Sequence, residues 1–418
     1  MTKITSSEAP PMNGTTSALN VSTLRGYPRN DGRMGVRNYT VVAYLVECAH
    51  HVARRIVEPY QEQGVQLVGF PGCYPSDYAH RVLEQMCTHP NVGAVLLVSL
   101  GCEEFRRGAL LEAVRESGRP VELLVIQKRG GTTSTIRQGR EWVEARMQEA
   151  ASTPKQPMVV GELIVGTKCG GSDGLSGVTI NPAVGRAFDR LVDAGATVMF
   201  EETCELIGCE HHMASRAKDP ALAAEVLAAV DKARHYYSDL GHGSFGGGNI
   251  KYGLSTLEEK SLGAYAKSGA RPIAGLLKPG VRPTAPGLYL MDTVNDGGVR
   301  YGIPNINDTQ TVTEMVASGC HLILFTTGAG SVVGQAVAPV IKGVSNSRVY
   351  EAMAEDMDIN AGTIADGLET VDQVAERILT RVLEVASGTP SCSEALGHQE
   401  FVLHYKTYEP LGPSCLPA

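Results

Sequence analysis

Four short runs of Val, Leu and Ile mark the first third of the chain: Tyr39–Val46 (YTVVAYLV), Val65–Phe70 (VQLVGF), Ala94–Leu100 (AVLLVSL) and Val121–Gln127 (VELLVIQ). Each is apolar at nearly every position rather than at every second one, the pattern of a strand covered on both faces. Between them, Tyr78–Cys87 and Arg107–Ser117 place apolar residues at helical spacing. Strands alternating with amphipathic helices predict βαβ units on a parallel sheet.

The segment Ala151–Pro157 is rich in Pro, Ser and Thr and reads as a linker, after which the alternation resumes. Met158–Val165 is expected as a strand, Pro182–Ala194 as a helix capped by Asn181, and Ala196–Phe200 as the next strand. Further strands are expected at Pro272–Leu277, Gly287–Met291 and His321–Thr326. The fold class is therefore α/β, with two βαβ-type units and mainly parallel sheets. The first unit spans residues 25–150; the second spans 158–386 and carries most of the polar motifs. Residues 1–24, polar and without an apolar core, are expected to form a disordered tail. Residues 387–418 lack periodicity and are expected to wrap over the body or over a neighbouring subunit.

At 418 residues and 43% hydrophobic content the chain can bury two or three cores. Its net charge of −8, with no basic run, argues against nucleic acid and anionic membranes as partners and for a small solute. No stretch resembles a signal peptide or a membrane span, so a soluble cytoplasmic protein is expected. The ten cysteines are scattered, with no C-x-x-C pair. That spacing fits free cytosolic thiols better than disulfides, a zinc ribbon or an iron–sulfur centre.

In an open parallel sheet, ligands bind beyond the carboxyl ends of the strands. The residues that follow the predicted strands are unusually polar there: Glu47-Cys48-Ala49-His50-His51, Gly72-Cys73, Gly101-Cys102-Glu103-Glu104, KCGGSDGLSG at Lys168–Gly177, EETCE at Glu201–Glu205, and Thr326-Thr327-Gly328. Turn formation accounts for any one of these clusters but poorly for all of them together. In EETCELIGCEHH (Glu201–His212), a helix after the strand would put Glu202 and Glu205 on one face, with Glu210 and His211 following. Carboxylates plus one imidazole suit Fe2+, Mn2+ or Mg2+; the alternative is an acidic helix start favoured by the dipole. In Gly246–Gly263 (GGGNIKYGLSTLEEKSLG), Lys260 either serves as a base or enolate-steadying charge, or belongs with Glu258 and Glu259 to an exposed helix face.

RNDGRMGVRNY (Arg29–Tyr39), GCE (Gly101–Glu103), KCGGSDGLSGVTINPAVG (Lys168–Gly185), EETCELIGCEHH, STLEEKSLG, FTTGAGS and EDMDINAGTI resemble the altronate and galactarate dehydratase family in its large C-terminal catalytic part. The similarity runs from about Gly26 to Leu379. It implies a lyase acting on a 2-hydroxy carboxylate with a divalent metal, Fe2+ or Mn2+ first and Mg2+ as the alternative. The large subunit of sulfolactate sulfo-lyase, which expels sulfite instead of water, is a relative of the same kind. Sugar-acid dehydratases of this family carry a small extra N-terminal domain that this chain lacks, so a separate small subunit is expected, along with assembly into a homo-oligomer. Ala329 stands where the family usually has Arg after FTTG, Gly248-Asn249-Ile250-Lys251-Tyr252-Gly253 departs from the family's Gly-Asn-Lys pattern, and a His near Phe70 is replaced. These changes point away from a standard hexaric or hexonic acid.

On this reading Glu202, Glu205 and His211 hold the metal, with Cys169 nearby. The amides of Gly170, Gly171 and Ser172 cradle the substrate's carboxylate, and Asp173, Lys260 and His211 handle protons and charge. Cys169, Ser176 and Asn181 from the first glycine-rich stretch, Asn249 and Thr256 from the second, and Thr326, Thr327 and Gly328 complete the expected substrate contacts. Two other outcomes are a sulfo-lyase with the same enolate chemistry and a non-catalytic acid-binding subunit.

Overall fold

The alternation read from the sequence folds into two parallel sheets. The computed structural model describes residues 24–201, 203, 205–241, 247–296 and 307–406. Strand β1 (Leu24–Pro28) pairs antiparallel with β2 (Met34–Gly35), and β3 (Tyr39–Tyr44), β4 (Val65–Gly69), β5 (Val92–Ser99) and β6 (Val121–Val125) form a parallel sheet in the order β4-β3-β5-β6. Strand β7 (Gln156–Met158) returns antiparallel to β1, so the expected linker contributes an edge strand, with Leu24 opposite Met158.

The second sheet contains β8 (Ile164–Cys169), β9 (Thr197–Phe200), β10 (Ile273–Leu277), β11 (Gly287–Met291), β12 (Leu322–Thr327), β13 (Val340–Val344) and β14 (Ile359–Asn360). Its order is β10-β11-β9-β8-β12-β13-β14, with every pairing parallel. From β8 the chain builds outward on one side through β9 and later returns to the other side at β12. The β8/β12 junction is therefore the point at which strand order reverses, where a crevice opens beyond the strand ends.

Two local expectations are corrected. Met158–Val165 is not one strand: a 3-10 turn at Val160–Glu162 divides β7 from β8. The Glu162 carboxylate accepts the Val159 N–H at 2.8 Å, a side-chain bond that competes with strand pairing. Asn181 is not a helix cap. The helix spans Ile180–Asp193, and Asn181, inside its first turn, donates through Nδ2 to the Gly263 carbonyl at 3.0 Å and accepts from Thr326 Oγ1 at 2.9 Å.

The two units share a core. Val41, Val68 and Val95 of the first sheet belong to one apolar cluster with Met199, Met291 and Ile323 of the second. Each such side chain, fully buried, contributes roughly 1.5–3 kcal/mol. The C-terminal segment closes the seam, as its lack of periodicity allowed. Leu403 joins the shared core, Tyr405 stacks edge-on against Phe70 at 5.1 Å, and the Glu400 carboxylate accepts the Gly334 N–H at 2.7 Å.

Candidate active site

Lys168 is the centre of charge at the β8/β12 junction. It lies in an apolar strand, IVGTKC, and is only 5% exposed, so its ammonium must find anions within the protein. Its Nζ is 3.3 Å from Glu201 Oε2, 3.8 Å from Glu205 Oε1 and 3.8 Å from Asp308 Oδ1. Glu201 directly follows β9 and is buried; its Oε1 accepts from Thr293 Oγ1 at 2.7 Å. Its Oε2 is buried with no hydrogen bond among the described residues and relies on the Lys168 charge. Asp308 opens the helix Asp308–Ala317, and burial pushes its carboxyl above the usual range against the opposing pull of Lys168.

Glu205 ties this cluster to the glycine-rich loop. Its Oε2 accepts the Cys169 thiol at 3.0 Å, and its Oε1 is 3.3 Å from Lys260 Nζ. Lys260 is buried whereas Glu258, on the same helix, is exposed, so the lysine points inward and does not share an outer charged face. The helix expected to carry Glu205 is absent: described residues between 201 and 209 form turns, and the next helix starts only at Glu210. Gly208, at φ +96°, and the bond from its N–H to the Glu210 carboxylate set that turn.

The loop after β8 is braced, not loose. Gly170 donates to the Thr326 carbonyl at 3.0 Å, and a Cβ at Gly170 would collide with Asp308 and Phe325, so this position admits no side chain. Gly328 and Ala329 both donate to the Gly171 carbonyl, at 3.1 and 3.0 Å. Asp173 Oδ1 accepts from Ser176 N (2.8 Å), Ser176 Oγ (2.7 Å) and Ser345 Oγ (2.7 Å), and its Oδ2 accepts from Asn346 Nδ2 at 3.0 Å. A carboxylate so fully engaged anchors the loop to the end of β13.

The other expected contacts fall into two groups. Thr326 and Asn181 bond to each other, and Thr327 Oγ1 accepts the Gly330 N–H at 3.1 Å, which fixes the turn beyond β12. Thr256 caps the helix Leu257–Ala266 by accepting the Glu259 N–H at 3.1 Å. Asn249 Nδ2 reaches the Ser172 carbonyl at 3.5 Å, the long limit of a hydrogen bond. His211 is exposed on the short helix Glu210–Ala214. Glu202 lies outside the described residues, and among those described no three His, Cys, Asp or Glu side chains converge to hold a metal ion.

Sequence reasoning passed over Lys168, Glu201 and Asp308 as functional groups. The signal for Lys168 was present, a lone charge inside an apolar strand. Asp308 gave none, because only the fold brings its helix to β8. A second layer was also missed: Glu314, fully buried, accepts from Lys406 Nζ at 2.7 Å and from the Tyr78 hydroxyl at 2.5 Å. Lys406 also donates to the Thr293 carbonyl at 3.0 Å, and the hydroxyl of that Thr293 holds Glu201.

Comparison with known proteins matches this architecture to family models over most of the chain. The model for the C-terminal part of D-galactarate/altronate dehydratases covers residues 160–408, and that for the second domain of D-galactarate dehydratase/altronate hydrolase covers residues 26–151. The chain is 34% identical over 397 residues to the (2R)-sulfolactate sulfo-lyase subunit beta of Chromohalobacter salexigens, covering 91% of this chain and 97% of that one. It is 32% identical to the galactarate dehydratase (L-threo-forming) of Escherichia coli (91% of this chain, 77% of that one) and 28% identical to the altronate dehydratase of the same organism (90% and 76%). Among the described residues no helix is long and apolar enough to cross a membrane. The chain belongs to the D-galactarate/altronate dehydratase family.

Proposed function

We propose that this protein is a lyase that eliminates a group from C3 of a 2-hydroxy carboxylate, with water as the leaving group and a 2-keto-3-deoxy acid as product. The observation that carries the reading is the buried Lys168 ammonium ringed by Glu201, Glu205 and Asp308 at the strand-order reversal. Removing the proton at C2 puts charge onto the substrate's carboxylate. Fixed cations at Lys168 and Lys260, in a water-poor setting, favour that charge where it develops. Glu205, between the two lysines, is placed to take the C2 proton, and Asp308, whose carboxyl binds its proton more tightly than usual, to return one to the departing hydroxyl. The enol then tautomerises to the keto acid.

Of the expected ligands Glu202, Glu205 and His211 for a divalent ion, Glu202 lies outside the described residues, and among those described no three donors converge to hold an ion. Lys168 and Lys260 already sit against Glu205. No step above passes through an ion; Fe2+, Mn2+ or Mg2+ at Glu202 with Glu205 stands as a proposal that metal analysis of the full chain tests.

A second reading, release of sulfite from sulfolactate, is favoured by the near-complete overlap with a sulfo-lyase subunit. That relative's designation as a subunit beta also motivates a separate small partner for this chain, and we extend the proposal to assembly with further copies of itself. Incubating the protein with (2R)-sulfolactate and with a panel of 2,3-dihydroxy acids, while assaying sulfite and 2-keto acid separately, distinguishes the two readings. Absence of turnover with every acid, with and without a small subunit, would leave an acid-binding module.

A further inference from the structure

The stretch RNDGRMGVRNY (Arg29–Tyr39) takes no part in the Lys168 site. It folds against the amino edge of the first sheet. Asn38 precedes β3, Gly93 lies at the start of β5 and Pro120 precedes β6, and all three border a cavity of about 180 Å³. Arg29, Asn30, Gly118, Arg119, Arg146 and Glu149 form the part of its wall that sets its charge.

The arginines come from three separate segments, and two of them are held by neutral partners. Arg29 donates through Nε to the Pro90 carbonyl at 2.7 Å, through Nη1 to Asn38 Oδ1 at 2.9 Å and through Nη2 to the Arg37 carbonyl at 3.1 Å. Arg119, buried, donates to the carbonyls of Val92 at 2.9 Å, His89 at 3.0 Å and Ser117 at 3.4 Å. A guanidinium carries five N–H groups, so each keeps donors beyond these bonds. Among the described residues neither has a carboxylate within hydrogen-bonding distance: Asp31 stands 3.8 Å from Arg119 and is bonded to Arg33 at 2.6 Å. Burial and then the Arg119 charge lower the pKa of Arg29 to about 9, and burial and then the Arg33 charge lower that of Arg119 to about 10. Both are still cations at neutral pH.

Arg146 lies on the helix Gly131–Ser152, 5.7 Å from the centre of the Trp142 ring. Its Nε is buried with no hydrogen bond among the described residues, and its partner carboxylate, Glu149 at 2.9 Å, is exposed and weakened by solvent. The carbonyl end of this helix also borders the cavity and opposes an anion. The Ala150 carbonyl, however, is covered by Asn38 Nδ2 at 3.3 Å and by the Thr153 N–H at 3.2 Å. Gly118, at φ +76°, lets Asn30 lie across it, since a Cβ there would fall 2.0 Å from the Asn30 amide nitrogen.

We propose that this cavity binds a phosphate group, as inorganic phosphate or as the phosphoryl end of a small metabolite. Three guanidiniums against one carboxylate in the wall leave a surplus of positive charge that suits a dianion. Forks arriving from three segments need an acceptor with oxygens on several sides, which a tetrahedral phosphate offers and a planar carboxylate does not. The cavity lies at strand starts and shares no residue with the Lys168 cluster, which lies at strand ends. An occupant would also brace the two units: Arg37, whose carbonyl Arg29 holds, grips Glu394 through bonds of 2.7 and 2.8 Å.

The test is thermal unfolding and calorimetric titration of the full chain at constant ionic strength with inorganic phosphate, glycerol phosphate, malonate and chloride. Saturable binding and stabilisation are expected from a phosphate-bearing probe and not from malonate or chloride. Tighter binding of inorganic phosphate identifies the free ion as the ligand, and tighter binding of glycerol phosphate a phosphorylated metabolite. Arg146→Gln should weaken binding about tenfold. Glu149→Gln, which removes the opposing carboxylate, should tighten it, a gain that misfolding cannot imitate. No saturable binding of either phosphate probe, an equal response to malonate, or binding indifferent to both substitutions would overturn the proposal. Because binding is read without turnover, the result is independent of whether the Lys168 cluster performs an elimination.

Discussion

Lys168 and Glu201, at the ends of adjacent strands β8 and β9, face each other at 3.3 Å, and both side chains are almost fully buried. The pair costs solvation that only compensating charge offsets, and Glu205 and Asp308 supply further anions around the one ammonium. Lys168→Met should therefore lower turnover on the order of a hundredfold to a thousandfold. It should also destabilise the protein by about 3–5 kcal/mol through the orphaned carboxylates. A product assay alongside a denaturation curve separates the two effects; unchanged turnover in a folded Lys168→Met protein would remove Lys168 from the reaction.

Asp173 offers a contrast, because its oxygens are already engaged by Ser176, Ser345 and Asn346. Asp173→Asn turns one acceptor into a donor facing other donors, at a cost of about 1–3 kcal/mol. The pH profile of the remaining activity should keep its shape, as expected of a brace. A profile that loses one limb would instead show Asp173 moving a proton.

Thr256 is separable in the same way. As a helix cap its replacement by Ala should cost about 1 kcal/mol and leave KM for the acid unchanged. A raised KM at unaltered stability would make it a substrate contact.

His321 gives the fold a pH dependence. Its Nδ1 accepts the Ile164 N–H at 3.0 Å and its Nε2 donates to the Met34 carbonyl at 2.8 Å, an arrangement that only the neutral ring satisfies. Burial lowers its pKa from 6.5 to about 4, and burial likewise lowers that of His89, whose ring lies 6.2 Å away. Between these limits the unfolded chain binds the proton that the folded chain refuses. Stability is fully present above a pH of about 6.5 and declines as the pH falls toward about 4, by about 3 kcal/mol from His321 alone. Denaturant midpoints measured across that window should slope steeply, and His321→Gln should flatten the slope.

Most strands of the two parallel sheets were legible because burial on two faces leaves an unbroken apolar run, as in Ala94–Leu100 and Gly287–Met291, whereas β13 and β14 were not foreseen. Boundaries set by side-chain bonds were not legible. Nothing local announces that Glu162 will bond Val159 N–H and split a strand, or that Asn181 will turn away from its own backbone toward Gly263 and Thr326. In the site, the glycine-rich loop and Lys260 stood out by composition. The partners that give them meaning, Asp308 and Ser345 among them, come from strands and helices far along the chain, and distance in sequence hides a shared edge.

Among the described residues Glu314 finds its counter-charge in Lys406, which follows every strand of both sheets in chain order. A chain emerging from the ribosome can pair every strand of both sheets while this carboxylate still lacks its cation. Completion of the inner network must then wait for the segment that carries Lys406, so newly made molecules should pass through a nearly finished form that is loosest beneath the Lys168 cluster.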